Sequence, residues 1–153
     1  MNQNEYLRLA VKRAKESVET GGFPAGAVLV KDGRIIAESM SLGFLLHDPT
    51  SHAEITAVRE ACKKLETTDL SGSVLYASLE PCVMCYCSSN WARISKIVYG
   101  CKKTAEMIAK DYYEGQHDIQ ALNSKSNYKV ELEYISDYEE EMKNLIVQWE
   151  KSL

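Results

Sequence analysis

The stretch VLYASLEPCVMCYCSSNWARISKIVYG, residues 74–100, decides how this chain is read. Val74–Ser78 is a short apolar run bounded by Gly72 and Pro81, the pattern of a buried strand. Pro81 suits the first turn of a helix, where its missing amide hydrogen would have no partner anyway, and the spacing predicts a helix running to Trp91. Ile94–Gly100 is a second apolar run and reads as another strand.

Toward the N-terminus, Leu7, Ala10, Val11, Ala14 and Val18 recur at intervals of three and four, which predicts a helix over 3–19 ended by Gly21-Gly22. Ala27–Lys31 and Arg34–Ser39 are rich in β-formers and are joined by Asp32-Gly33, a two-residue hairpin signal. Residues 40–48 read as a loop. Thr50 or Ser51 is expected to cap a helix that starts near His52 and carries Ile55, Val58, Ala61 and Leu65 on one face. Beyond Gly100, a short helix is predicted at Thr104–Lys110, a polar stretch without pattern at 111–127, and an alternating strand at Lys129–Ile135. A final helix over 137–151 carries Met142, Leu145, Ile146 and Trp149. Strands alternating with helices imply a sheet covered on both faces, hence a three-layer α/β fold in one domain spanning 1–153.

Bulk composition narrows the function classes. The 153 residues suit a single core, and no window approaches the apolar length of a membrane span. The polar Met1–Tyr6 lacks a secretory pattern, so a cytoplasmic enzyme or binding domain is expected. Lysines and arginines are interspersed with acids at a net charge of −4, without a basic block. Such a balance argues against affinity built on phosphate contacts, so tRNA is not the expected partner. Five cysteines, an odd number, do not suggest a disulfide framework.

Two of them, Cys82 and Cys85, stand at C-x-x-C spacing where a helix is predicted to open, and three residues apart they share one face of its first turn. A helix N-terminus favours thiolate, the form that zinc binds. His52-Ala53-Glu54 opens the other predicted helix. One imidazole and two thiolates make three protein ligands and leave a fourth position on one zinc per chain for water, the pattern of a catalytic site. Zinc lowers the pKa of a bound water from ~15.7 toward ~7, and Glu54 is the carboxylate placed to take and return the protons. H-x-E followed by P-C-x-x-C is the signature of zinc-dependent deaminases.

Pro24–Val30, Asp48–Glu54 and Leu79–Cys85 together resemble the cytidine/deoxycytidylate deaminase superfamily, in the branch of guanine deaminases, cytosine deaminases and tRNA adenosine deaminases. The resemblance covers residues 5–101. It implies a five-stranded mixed sheet between helices, a zinc in each subunit, a small nucleobase or nucleoside of guanine or cytosine type as substrate, and a homodimer whose partner helps close the pocket. It also implies a base-contacting Asn at the position where this chain has Ser41. Phe23 or Phe44 is a candidate stacking face, Asp111 a candidate for the carboxylate that guanine deaminases draw from the C-terminal part, and Trp149 with Glu150 a candidate cover. Backbone groups at Ala53 and Ser78–Glu80 are candidates for orienting water and leaving group.

Cys62, Cys87 and Cys101 read as packing residues, His47 as a loop residue near the pocket mouth, and His117 as without a role. Tyr112 and Tyr113 could stack on a base. Two other functions compete with the leading one. A tRNA-specific adenosine deaminase would need a basic groove. A structural zinc module would need His47 or Cys87 as fourth ligand and would leave Glu54 without a task.

Overall fold

The computed structural model describes all residues, Met1–Leu153. Helix α1 (Gln3–Glu19) opens with a reciprocal cap: the Asn2 side chain accepts from the Glu5 amide while the Glu5 carboxylate accepts from the Asn2 amide. Strands β1 (Gly26–Lys31) and β2 (Arg34–Met40) pair antiparallel, and Asp32 and Gly33 both take positive φ, 51° and 71°, as a tight primed turn demands. After a one-turn helix α2 (Gly43–Leu46) come α3 (Ala53–Leu65), β3 (Ser73–Ala77), α4 (Val83–Trp91) and β4 (Lys96–Tyr99). Short helices α5 (Ala105–Ala109) and α6 (Ile119–Ser124) precede β5 (Glu131–Tyr134), a 3-10 turn and α7 (Glu139–Lys151).

The five strands form one mixed sheet in the order β2-β1-β3-β4-β5. β1 lies antiparallel to both its neighbours, whereas β3, β4 and β5 run parallel. Alternate residues of β1 serve opposite faces. Val28 and Val30 pack with Tyr6, Leu7 and Ala10 of α1, while Ala27 and Leu29 join the larger core with Ala53 and Ala57 of α3 and Cys85 of α4. Helices thus cover both faces, as the alternation of elements predicts.

The differences from the sequence expectation lie where apolar periodicity is missing. Residues 40–48 contain α2, whose Phe44, Leu45 and Leu46 are exposed and so carry no stripe. The polar stretch 111–127 contains α6, capped by Asp118 but burying only Ile119. Neither Thr50 nor Ser51 caps α3. Both hydroxyls donate to the Asp48 carboxylate, at 2.7 Å each, and His52 is the capping position, without a side-chain cap bond. The final helix begins at Glu139, after the 3-10 turn Ser136–Tyr138. No helix is long and apolar enough to cross a membrane.

The sheet brings the ends that matter together. Gly26 at the start of β1 donates its amide to Ser78 Oγ at 2.9 Å, and its carbonyl accepts from the Ser78 amide at 3.0 Å. Ala25, Ser41 and Leu79 therefore meet at one end of the sheet, outside the carboxyl end of β3, where ligands of open α/β sheets are bound. Gly26 also lets α1 approach: a Cβ there would stand 2.2 Å from the Ala10 carbonyl oxygen and 2.5 Å from the Ala14 amide. Gly26→Ala is expected to cost ~1–3 kcal/mol through overpacking. At ~2–4 °C per kcal/mol for a chain of this size, thermal unfolding should show a midpoint lower by several degrees, and an unchanged midpoint would mean that α1 shifts freely.

Candidate metal and active site

His52, Glu54, Cys82 and Cys85 come from the N-terminal ends of α3 and α4. Two residues apart inside a helix, His52 and Glu54 would diverge. They converge because His52 is not yet helical: its backbone is extended (φ −63°, ψ 158°), and the helix begins at the next residue. Cys82 is likewise extended and stands at the capping position of α4, with Cys85 on the first turn. The positive ends of both helix dipoles face the cluster, which favours thiolate and carboxylate there.

His52 Nδ1 lies 3.5 Å from Cys82 Sγ and 3.5 Å from Cys85 Sγ, and the three donor atoms all lie within 4.8 Å of one another. Tetrahedral zinc, with Zn–S of about 2.3 Å and Zn–N of about 2.0–2.1 Å, needs a sulfur–nitrogen edge of roughly 3.5 Å. The donor set fits zinc in type and spacing. Neither His47 nor Cys87 joins it, so the fourth protein ligand of a structural site is missing from the cluster.

The ionisable groups of the cluster act on one another. Cys82 ionises first: a hydrogen bond from Cys85, reinforced by His52, holds it down at about 6. Cys85 is pushed up by that same bond and by burial. The hydrogen bond to Cys82 raises His52. Glu54 is buried, and desolvation together with the Cys82 charge pushes its carboxyl up to about 7. Its Oε2 lies 3.5 Å from Cys85 Sγ, so the carboxylate sits directly beside the donors.

A cavity of about 960 Å³ opens over the cluster and is lined by His52, Glu54 and Cys82 together with three of the sequence candidates, Phe23, Ser41 and Asp111. Ser41 is anchored through its backbone, its amide donating to the Ala25 carbonyl at 3.1 Å. Asp111 is exposed at the rim in a left-handed conformation (φ 61°). Ala53 is not part of the lining: it is fully buried, and its carbonyl accepts from the Ser39 hydroxyl. Phe23 presents no isolated face, because it packs edge-on against Tyr112 at 5.5 Å and Trp149 at 5.1 Å. Trp149 therefore covers one side of the cavity, while Glu150 stands behind it and accepts from Tyr112 Oη and Lys110 Nζ, both at 2.6 Å. His47 and Phe44 lie at the mouth, and His117 lies outside the lining.

A model of the cytidine and deoxycytidylate deaminase zinc-binding region matches residues 1–101. The chain belongs to this family. Zinc is the family's metal, and His52, Cys82 and Cys85 form the candidate zinc site of this deaminase. Guanine deaminase of Bacillus subtilis is 47% identical over 105 residues, 68% of this chain and 67% of that one. A tRNA-specific adenosine deaminase of Aquifex aeolicus is 41% identical over 99 residues, 65% of this chain and 66% of that one. The aligned stretch spans about two thirds of these relatives. Among solved structures, one from work on A-to-I editing by tRNA:A34 deaminases superposes with a TM-score of 0.78 at 32% identity, covering 94% of this chain and 99% of that one. Bacillus subtilis guanine deaminase gives 0.71 at 34% identity, over 100% and 96%. The composition-based expectation against tRNA finds no support here, since relatives of both kinds are similarly close.

The sequence offers Tyr113 only as a stacking candidate and Glu114 not at all, whereas the fold gives both another place at the site. Tyr113 and Glu114 lie in the patternless stretch after α5, and only the folded chain brings them against the turn that carries Cys82. The donor geometry leads to a direct expectation. Cys85→Ala should lose most bound zinc while wild-type protein carries about one ion per chain, as metal analysis after desalting would measure. Full zinc in that variant would dismiss Cys85 as a ligand.

Proposed function

We propose that this deaminase hydrolyses the exocyclic amino group of an uncharged nucleobase or nucleoside, of guanine or cytosine type, and releases ammonia. The charge of the cavity lining carries the proposal. Asp48, Glu54, Glu80, Asp111 and Glu114 all line the cavity. Apart from its histidines, Lys110 is the one basic residue there, and Glu106 and Glu150 hold it at 2.7 and 2.6 Å. A phosphate would approach this lining against repulsion, whereas the N–H groups of an amino-substituted ring would meet acceptors. A volume near 960 Å³ admits either a base or a nucleoside, so size does not choose between them. Phe23, Tyr112 and Trp149 give one wall the aromatic character that suits a flat ring.

When bound, zinc supplies an acidified water as nucleophile near neutral pH. The reaction forms one C–O bond and breaks one C–N bond, so protons must leave the water and reach the ring nitrogen and the departing amine. Glu54 is the buried carboxylate in contact with the donor cluster and is assigned this shuttle. Its buried setting brings its pKa close to neutrality, where a group can both accept and donate. Ser41, on the wall, is assigned a hydrogen bond to the base. It offers one hydroxyl where an amide would offer two contacts.

A second reading, an adenosine presented by a tRNA loop, is favoured by the tRNA-specific adenosine deaminases among the relatives. Ammonia release across guanine, cytosine, adenine, their nucleosides and tRNA decides between the two. Turnover confined to tRNA would overturn the first. Glu54→Gln should keep zinc and fold but lose turnover by at least ~10²–10⁴-fold, and near-normal activity would remove Glu54 from the mechanism. The proposal extends to a homodimer, and sizing chromatography that finds only monomer would withdraw that part.

A further inference from the structure

Helix α4 begins with three amide hydrogens that no helical carbonyl precedes, those of Val83, Met84 and Cys85. The Cys85 amide points to Cys82 Sγ at 3.5 Å. The other two go to a single carboxylate from outside the helix: Glu114 Oε1 accepts from the Val83 amide at 3.3 Å and Oε2 from the Met84 amide at 3.1 Å. One residue earlier, the buried Tyr113 donates its hydroxyl to the Glu80 carbonyl at 2.7 Å, with Lys103 Nζ 5.4 Å from the centre of its ring. Glu80 and Val83 flank the Pro81-Cys82 step. Adjacent residues 113 and 114 therefore grip the Cys82 turn from its two sides.

We infer that Tyr113 and Glu114 are positioning residues for the Cys82–Cys85 donor pair and set how firmly this chain retains zinc. Cys82 sits at the capping position and Cys85 three residues on, so the distance between the sulfurs depends on the first turn of α4 being wound. A first turn is the part of a helix that frays most easily, because its amides lack internal partners. Glu114 supplies two of those partners at once. Its charge is favoured by the helix N-terminus and disfavoured by the thiolates, so the two electrostatic effects oppose each other. What it adds is a pair of directed acceptors. Tyr113 adds a fixed point on the preceding carbonyl, so the turn cannot rotate about Pro81.

The inference rests on His52, Cys82 and Cys85 being the zinc ligands, and Cys85→Ala is the control for that assignment. The test is made on the full chain loaded with zinc, by following transfer of the metal to a chelating dye, and on the cobalt-substituted protein by its d–d absorption. Outer-shell partners of metal ligands typically contribute ~10–100-fold in affinity. Glu114→Ala should release zinc faster by about that factor and shift the cobalt bands, with circular dichroism unchanged because the side chain is exposed. Glu114→Gln keeps one acceptor oxygen but turns its amide nitrogen toward the other N–H, so it should release zinc at a rate between wild type and Glu114→Ala. Tyr113→Phe should loosen zinc in the same sense. Combined with Glu114→Ala it should loosen zinc by less than the product of the two effects, since both brace one turn. Wild-type zinc retention in Glu114→Ala overturns the inference, and wild-type retention in Glu114→Gln overturns the need for two acceptors. Wild-type retention in Tyr113→Phe removes Tyr113 from it. Zinc retained by Cys85→Ala would instead overturn the ligand assignment, so the two failures are distinguishable.

Discussion

Two helix N-termini aimed at one point are the constraint on which the rest of this molecule depends. α3 and α4 each start just outside the end of the sheet, and each places an extended residue, His52 or Cys82, at its capping position. An extended residue at a helix start can turn its side chain toward the opposite helix, and Cys85 on the first turn of α4 meets it there. The convergence concentrates unsatisfied amides and positive dipole ends, and that is where thiolates and a buried carboxylate can be held with least cost. The sheet fixes the spacing, because β1 and β3 are adjacent and Gly26 and Ser78 are joined by reciprocal hydrogen bonds.

Most of this was legible in residues 1–101 for a physical reason. The strands there are largely buried, the turn residues have the chemistry their geometry requires, and the metal donors stand at spacings that a helix start brings together. Asp32-Gly33 illustrates the point, since both residues adopt the positive φ that the dipeptide foretells. The C-terminal third was harder to read because its contributions are made by single residues. Tyr113 is the one buried side chain between Lys110 and Asp118, and α6 buries only Ile119, so neither creates a period. Ala53 belongs to the core. It lies between His52 and Glu54 in sequence, yet its side chain turns into the core and its carbonyl is occupied by Ser39.

Family membership and cavity chemistry bear on different questions. The matched stretch contains the donors, Glu54 and four of the five strands, so it specifies the reaction type. The side of the cavity formed by Lys110 to Glu114 and Trp149 lies outside residues 1–101. Relatives that share the first stretch can therefore differ in what they admit. In this chain that side combines acceptors with aromatic rings and commits its lysine to two glutamates.

The aromatic trio Phe23, Tyr112 and Trp149 joins the beginning, the later middle and the last helix of the chain. Closing so long a separation is slow relative to local pairing, and chains emerge from synthesis N-terminal part first. His52, Cys82 and Cys85 are all made well before Trp149. The donors are thus neighbours within the first two thirds of the chain, whereas the aromatic side of the cavity depends on contacts of long sequence separation.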